Sequence, residues 1–282
     1  MGAKFKSFID IAKETICISK NACYSTGNNI IHFDKSDNTK IFYENDFDSV
    51  NKEVEEKADI FPITIIECVN EGTVDAVFRL SRGLKDLKLG VLNFASAKHP
   101  GGGFETGAVA QEECLAYCSD LVEKQKGQVG HKYYDINFEK NSAFYTDTML
   151  LSNVTFFRDS SYNLIENNVM CSVLTSPAVN KRLTISRGVS DEEANVTMKE
   201  RMRKILYVFA HESCDIIVLG AFGCGVFGNK AEDISEYWKE LLIDENMKKY
   251  FRKICFSIYD SHGKGNNFEI FNQKFKNLRK GV

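Results

Sequence analysis

The sequence predicts an α/β protein, a largely parallel β-sheet flanked by helices and preceded by an N-terminal helical and strand extension. Three observations predict it. From Pro62 onward, apolar runs of strand length alternate with longer segments of helical spacing, the pattern of βαβ units. The runs ITIIECV (63–69), KLGVLNF (88–94), DIIVLG (215–220) and KICFSIY (253–259) are almost continuously apolar, as strands covered on both faces must be. Two glycine-rich loops each follow one of these runs and open a helix, which is where open α/β sheets bind ligands.

Taken in order, residues 5–20 set Phe5, Phe8, Ile9, Ala12 and Ile16 at the i, i+3, i+4 spacing of an amphipathic helix, and short strands are expected at 29–33 and 39–43. ITIIECV, then TVDAVFRLSRGL (73–84) as a helix, then KLGVLNF make the first βαβ unit. AQEECLAYCSDLVEKQ (110–125) reads as one helix, with Cys114, Leu115, Cys118 and Leu121 on its apolar side. TMLLSNVTFFRD (148–159) and VMCSVLTS (169–176) are expected to be extended. SDEEANVTMKERMRKILYVFAHES (190–213) is a long helix opened by Ser190 and Glu193, a capping box, and AEDISEYWKELL (231–242) is another helix. No repeat, low-complexity tract or Pro/Ser-rich linker marks a boundary. The reading is therefore one domain over 1–282, with 1–60 as an accessory segment and 61–282 as the core carrying both loops.

Charge narrows the function. With 36 Lys+Arg against 39 Asp+Glu, a net charge of -3, and no basic run, the chain lacks the footprint of a general nucleic-acid binder. No stretch of about 18 uninterrupted apolar residues predicts a membrane span, and Asp10 and Glu14 interrupt the apolar residues of the opening segment, so no signal-peptide core is expected. The nine cysteines are odd in number, irregularly spaced and mostly inside apolar runs (Cys17, Cys68, Cys255), which suits buried thiols in a reducing cytoplasm. No C-x-x-C or C-x-x-H pair builds a zinc site, and the expectation is a monomer without metal or cofactor.

The chemistry is expected in NFASAKHPGGGFETGAVAQEE (93–113) and GAFGCGVFGN (220–229). Glycines there let backbone amides approach a phosphate, and a helix start adds partial positive charge, so a pyrophosphate can be held by a net acidic protein. Neither loop has the G-x-x-x-x-G-K-[ST] or G-x-G-x-x-G pattern, which removes support for ATP hydrolysis and hydride transfer. Gln111, Glu112 and Glu113 follow the triple glycine by seven residues. A carboxyl beside a bound sugar is what glycosidic cleavage needs, to protonate the departing oxygen and then activate water. Adjacent helical residues point about 100° apart, so one catalytic and one orienting carboxyl are expected rather than an acid and a nucleophile.

The spacing GGG, seven residues, QEE resembles the signature of the poly(ADP-ribose) glycohydrolases of the compact microbial type. Further resemblance lies in AKET (12–15), VLNFASAKHPGGGF (91–104), SNVTFFRD (152–159), LTSPAVN (174–180), MKERMRKIL (198–206) and VLGAFGCGVFGN (218–229). The resemblance implies a macrodomain-like, mixed but mostly parallel sheet, and hydrolysis of the ribose-ribose bonds of poly(ADP-ribose) or of ADP-ribosylated macromolecules. It also implies that Glu113 is the general acid and base and that Glu112 positions the ribose, with Gln111 beside them. Gly101, Gly102 and Gly103 would form one diphosphate loop; Gly223, Cys224, Gly225, Val226 and Phe227 would form the other, with Phe227 against a ribose. Where many macrodomains carry an asparagine toward the distal ribose, this chain has Ser96. His99 reads as a solvated loop residue. The alternatives are removal of single ADP-ribose groups, and a module that binds ADP-ribose without cleaving it.

Overall fold

The computed structural model describes residues 6–58, 60–82, 87–140, 142–260 and 265–278; Phe5 and positions 83–84 of the predicted helices lie outside them. The strands are β1 Cys23–Thr26, β2 Asn29–His32, β3 Lys40–Phe42, β4 Ile65–Val69, β5 Leu89–Phe94, β6 Met149–Arg158, β7 Leu164–Ser176, β8 Ile216–Leu219 and β9 Lys253–Ser257. The helices are α1 Phe8–Asn21, α2 Phe47–Lys57, α3 Thr73–Ser81, α4 Gln111–Cys118, α5 Leu121–Lys126, α6 Gly130–Lys140, α7 Lys181–Ser186, α8 Asp191–His211, α9 Ala231–Lys239 and α10 Asn267–Phe275. Ser7 and Asp10 close a capping box on α1, and Ser190 accepts from the Glu193 amide at the start of α8.

Seven strands form one sheet in the order β3-β6-β7-β5-β8-β9-β4, and β1 pairs with β2 in a separate hairpin. β7, β5, β8, β9 and β4 run parallel, whereas β6 is antiparallel to both of its neighbours. β5 and β8 are adjacent, so the glycine loops that leave their carboxyl ends lie side by side. The antiparallel sense of β6 brings the segment before Met149 to the same edge.

Both faces of the sheet are covered because successive strand residues point to opposite sides. On β8, Ile217 and Leu219 join a core with α2, α8, α9 and α10, while Ile216 and Val218 join one with α1, α3, α4 and α5. Burial on both sides explains why β8 reads as an unbroken apolar run. Trp238 of α9 is fully buried and donates to the Gly220 carbonyl at 3.3 Å, which ties the second loop to the helix that follows it.

One predicted helix is two. Residues 110–125 break at Ser119, where the backbone becomes extended, and the helix restarts after Asp120. Ser119 bridges to Phe156 of β6, the Asp120 amide donates to the Thr155 carbonyl at 3.2 Å, and the Asp120 carboxylate accepts from the Thr155 amide at 2.8 Å. The chain exchanges helical hydrogen bonds for pairing with the sheet, which redirects α5. The reading also passed over β1, α2, α6, α7 and α10. Of the N-terminal segment, β3 extends the main sheet, α1 packs on α4 and α2 packs on α8.

Candidate active site

The first glycine loop leaves β5 and turns back sharply at Gly101 and Gly102, both left-handed (φ 68° and 60°). At Gly102 a side chain has no room as well: a Cβ would lie 2.3 Å from Glu113 Oε1 and 3.1 Å from Glu112 Oε2. The two carboxyl groups, although adjacent on α4, converge on this one α-carbon.

Their partners separate them. Glu112 is 3% exposed. Its Oε2 accepts the Ser96 amide at 2.7 Å, and Oε1 accepts Asn93 Nδ2 at 3.1 Å and Gln125 Nε2 at 3.4 Å. Burial pushes its carboxyl up to about 8, against the pull of these hydrogen bonds and with the help of the neighbouring Glu113. Glu113 is 8% exposed, and its Oε1 accepts the Gly103 amide at 2.8 Å. Among the described residues its Oε2 takes no hydrogen bond. Glu112, the residue assigned to positioning, is thus a carboxyl that burial holds up.

Gln111 uses its carboxamide inside the protein: Oε1 accepts the Phe94 amide at 2.9 Å, and Nε2 donates to the Leu92 carbonyl at 2.8 Å. It locks the start of α4 onto the end of β5. The Ser96 hydroxyl accepts the amides of His99 and Lys98 at 3.1 and 3.3 Å, shaping the loop; His99 itself is exposed.

The second loop turns at Gly223 (φ 76°), where a Cβ would meet Ala178 Cβ and Asn229 Nδ2 at 2.6 Å. Gly225 has no neighbour within 4 Å, Val226 is 76% exposed, and Cys224 is half-buried. Phe227 faces Tyr145, ring centroids 6.1 Å apart.

Several residues of this edge were not found by the sequence reading. The Gln125 carboxamide accepts the Gly101 amide at 2.7 Å while donating to Glu112, so it fastens the glycine turn to the carboxyl pair. Asn229 donates to the Gly223 carbonyl at 3.1 Å and to the Val179 carbonyl at 2.8 Å, joining the second loop to the chain after β7. Arg201, buried on α8, donates to Asp147 at 2.8 Å and to the Pro177 carbonyl at 3.0 Å, and Lys204 also pairs with Asp147. Tyr145 is left-handed (φ 60°) and accepts from Asn180 Nδ2 at 3.4 Å. These side chains come from distant parts of the sequence, and local spacing carries no sign of them.

A cavity of about 590 Å³ opens at the same edge, lined by Phe94, Val109, Gln111, Tyr162, Ala221 and Tyr259 among others. Among the described residues no group of three His, Cys, Asp or Glu side chains is placed to hold a metal ion.

A mixed, mostly parallel sheet with two adjacent glycine loops, the first folded against a buried carboxyl pair, defines the class as a macrodomain-like α/β protein. The comparisons with known proteins narrow it. Residues 11–159 match the family model for the catalytic domain of microbial-type PARG, poly(ADP-ribose) glycohydrolase. The structure superposes on poly(ADP-ribose) glycohydrolase from Thermomonospora curvata bound to the inhibitor ADP-HPD with TM-score 0.85 and 30% identity, covering 95% of this chain and 99% of that one. The enzyme from Deinococcus radiodurans in complex with ADP-ribose gives TM-score 0.79 and 31% identity over 86% of this chain and 96% of that one. No curated protein matches the sequence. The chain belongs to the microbial-type poly(ADP-ribose) glycohydrolase family and is a glycosidase that hydrolyses poly(ADP-ribose).

Proposed function

We propose that Glu113 is the general acid and base of this hydrolysis and that Glu112 positions the ribose being released. The observation that carries the reading is the convergence of both carboxyls on Gly102, at the turn of the first glycine loop. The terminal ADP-ribose unit would lay its pyrophosphate across the second loop, at the amides of Gly225, Val226 and Phe227, because the amides of Gly101, Gly102 and Gly103, expected to share in this, are taken by Gln125, His99 and Glu113; its distal ribose would lie against Phe227 and its C1″ over the glutamates. Glu113 gives its proton to the oxygen of the departing ribose as the C1″–O bond breaks, leaving an oxocarbenium-like C1″. Its carboxylate then takes a proton from water while the water oxygen bonds to C1″, which restores the acid. Glu112, held by three donors and kept largely neutral at pH 7 by burial, orients the ribose.

The cavity of about 590 Å³ is the right size for the adenosine half of the unit, and its aromatic lining offers faces for a base. Nine free thiols support a reducing, cytoplasmic location.

Single-turnover kinetics and ADP-ribose affinity test the assignment. Glu113→Gln keeps the shape but removes the transferable proton, so turnover falls by about 10²–10⁴ while affinity stays within about tenfold. Glu112→Gln changes both, because ribose orientation contributes to binding and to the barrier. An active Glu113→Gln enzyme overturns the roles.

A further inference from the structure

The ribose-ribose bond that is cut joins the released unit to the adenosine ribose of the next unit, so an adenine and a pyrophosphate lie just beyond the scissile bond. The terminal unit alone accounts for the glycine loops and the cavity. A pair of side chains close to Glu112 along the first loop has no role so far.

Lys98 stands two residues beyond Ser96, whose amide holds Glu112, and its own amide is turned onto Ser96 Oγ. Its Nζ lies 5.6 Å from the centroid of the Phe138 ring. Among the described residues Lys98 forms no ion pair. Phe138, on α6, is 68% exposed and packs into none of the core clusters. One turn earlier on the same helix, Tyr134 is buried, and burial first and the nearness of Glu112 second push its hydroxyl up. Helix α6 thus runs from the carboxyl pair to a surface where an unpaired cation covers part of an exposed aromatic ring.

We infer that Lys98 and Phe138 form a subsite for the penultimate ADP-ribose unit of the polymer, the unit that remains on the chain after cleavage. Its adenine stacks on Phe138, since every base offers a π-face to an aromatic ring, and its pyrophosphate is met by Lys98. The chemistry complements in both parts: an apolar aromatic for the base and a free cation for two negative charges. This inference rests on the poly(ADP-ribose) reading. It gives the enzyme a hold on polymer that single ADP-ribose groups on a protein cannot use.

The test compares wild type, Phe138→Ala, Phe138→Trp and Lys98→Glu on purified polymer of at least four units, with calorimetric titration of ADP-ribose and thermal melting beside it. Phe138→Ala and Lys98→Glu are expected to raise KM for polymer by about five- to a hundredfold, with kcat and ADP-ribose affinity within twofold of wild type and melting unchanged. Phe138→Trp restores KM. Unchanged KM in both Phe138→Ala and Lys98→Glu refutes the subsite, and an equal loss of ADP-ribose affinity moves the pair to the terminal-unit site and refutes it too. A wild-type enzyme inactive on polymer refutes the underlying activity instead, so the two failures are distinct.

Discussion

The α-carbon of Gly102 and the carboxylate of Glu113 occupy mutually dependent positions: a Cβ on residue 102 would lie 2.3 Å from Glu113 Oε1. Position 102 is left-handed as well, at φ 60°, so any L side chain there is strained and collides with the Glu113 carboxylate. Gly102→Ala is therefore expected to displace Glu113, and a misplacement near 1 Å costs about 10² in rate. Turnover and thermal melting of the variant check this, with a large loss of kcat in a folded protein as the expected outcome.

Burial raises Glu112 from its ordinary 4.5 to about 8, so the folded protein binds a proton there that the unfolded chain releases. Stability from this group is complete below pH 4.5 and is lost as the pH rises through about 8. The loss is on the order of a few kcal/mol. Asp120, pushed up to about 6 by burial, acts in the same direction at lower pH. Denaturant unfolding from pH 5 to 9 should show wild type weakening more steeply than Glu112→Gln, with the difference concentrated between pH 5 and 8. Parallel curves refute the assignment to Glu112.

Gln125 is fully buried and serves the Gly101 amide and Glu112 together. Gln125→Leu leaves the Gly101 amide unpaired, a cost of about 1–3 kcal/mol in stability. Gln125→Glu keeps an acceptor for that amide but removes the donor to Glu112. Equilibrium unfolding and pH-rate profiles should separate the contacts, Gln125→Leu losing stability and Gln125→Glu moving the pH profile.

A Cβ at Gly225 would meet no protein atom within 4 Å beyond its chain neighbours. Gly225→Val therefore leaves the fold intact but stands in the path of a pyrophosphate reaching the loop amides, and ADP-ribose affinity is expected to fall at least tenfold. Lys230→Ala, which removes an exposed cation at the start of α9, changes affinity little. Calorimetry on both decides between amides and cations as the anion holders; loss of binding only in Lys230→Ala contradicts the amide account.

The sequence by itself determined the layered α/β plan, because strands covered on both faces, such as β8, must be continuously apolar and are visible as such. It also determined both glycine loops and the QEE triplet, since turn chemistry and a first-turn carboxyl pair are local properties. Tertiary structure decided the rest. That the two loops lie side by side follows from β5 and β8 being neighbours, a pairing between residues more than a hundred positions apart. The break between α4 and α5 could not be read from helical spacing, which continues through Ser119 and Asp120; the competing partner, β6, lies more than thirty positions onward. That break aims Gln125 at the glycine turn. That the Glu112 carboxyl is raised was likewise decided by packing, because desolvation depends on every chain segment that covers a group, and Glu112 is enclosed by Asn93 of β5, Ser96 of the loop that follows it and Gln125 of α5.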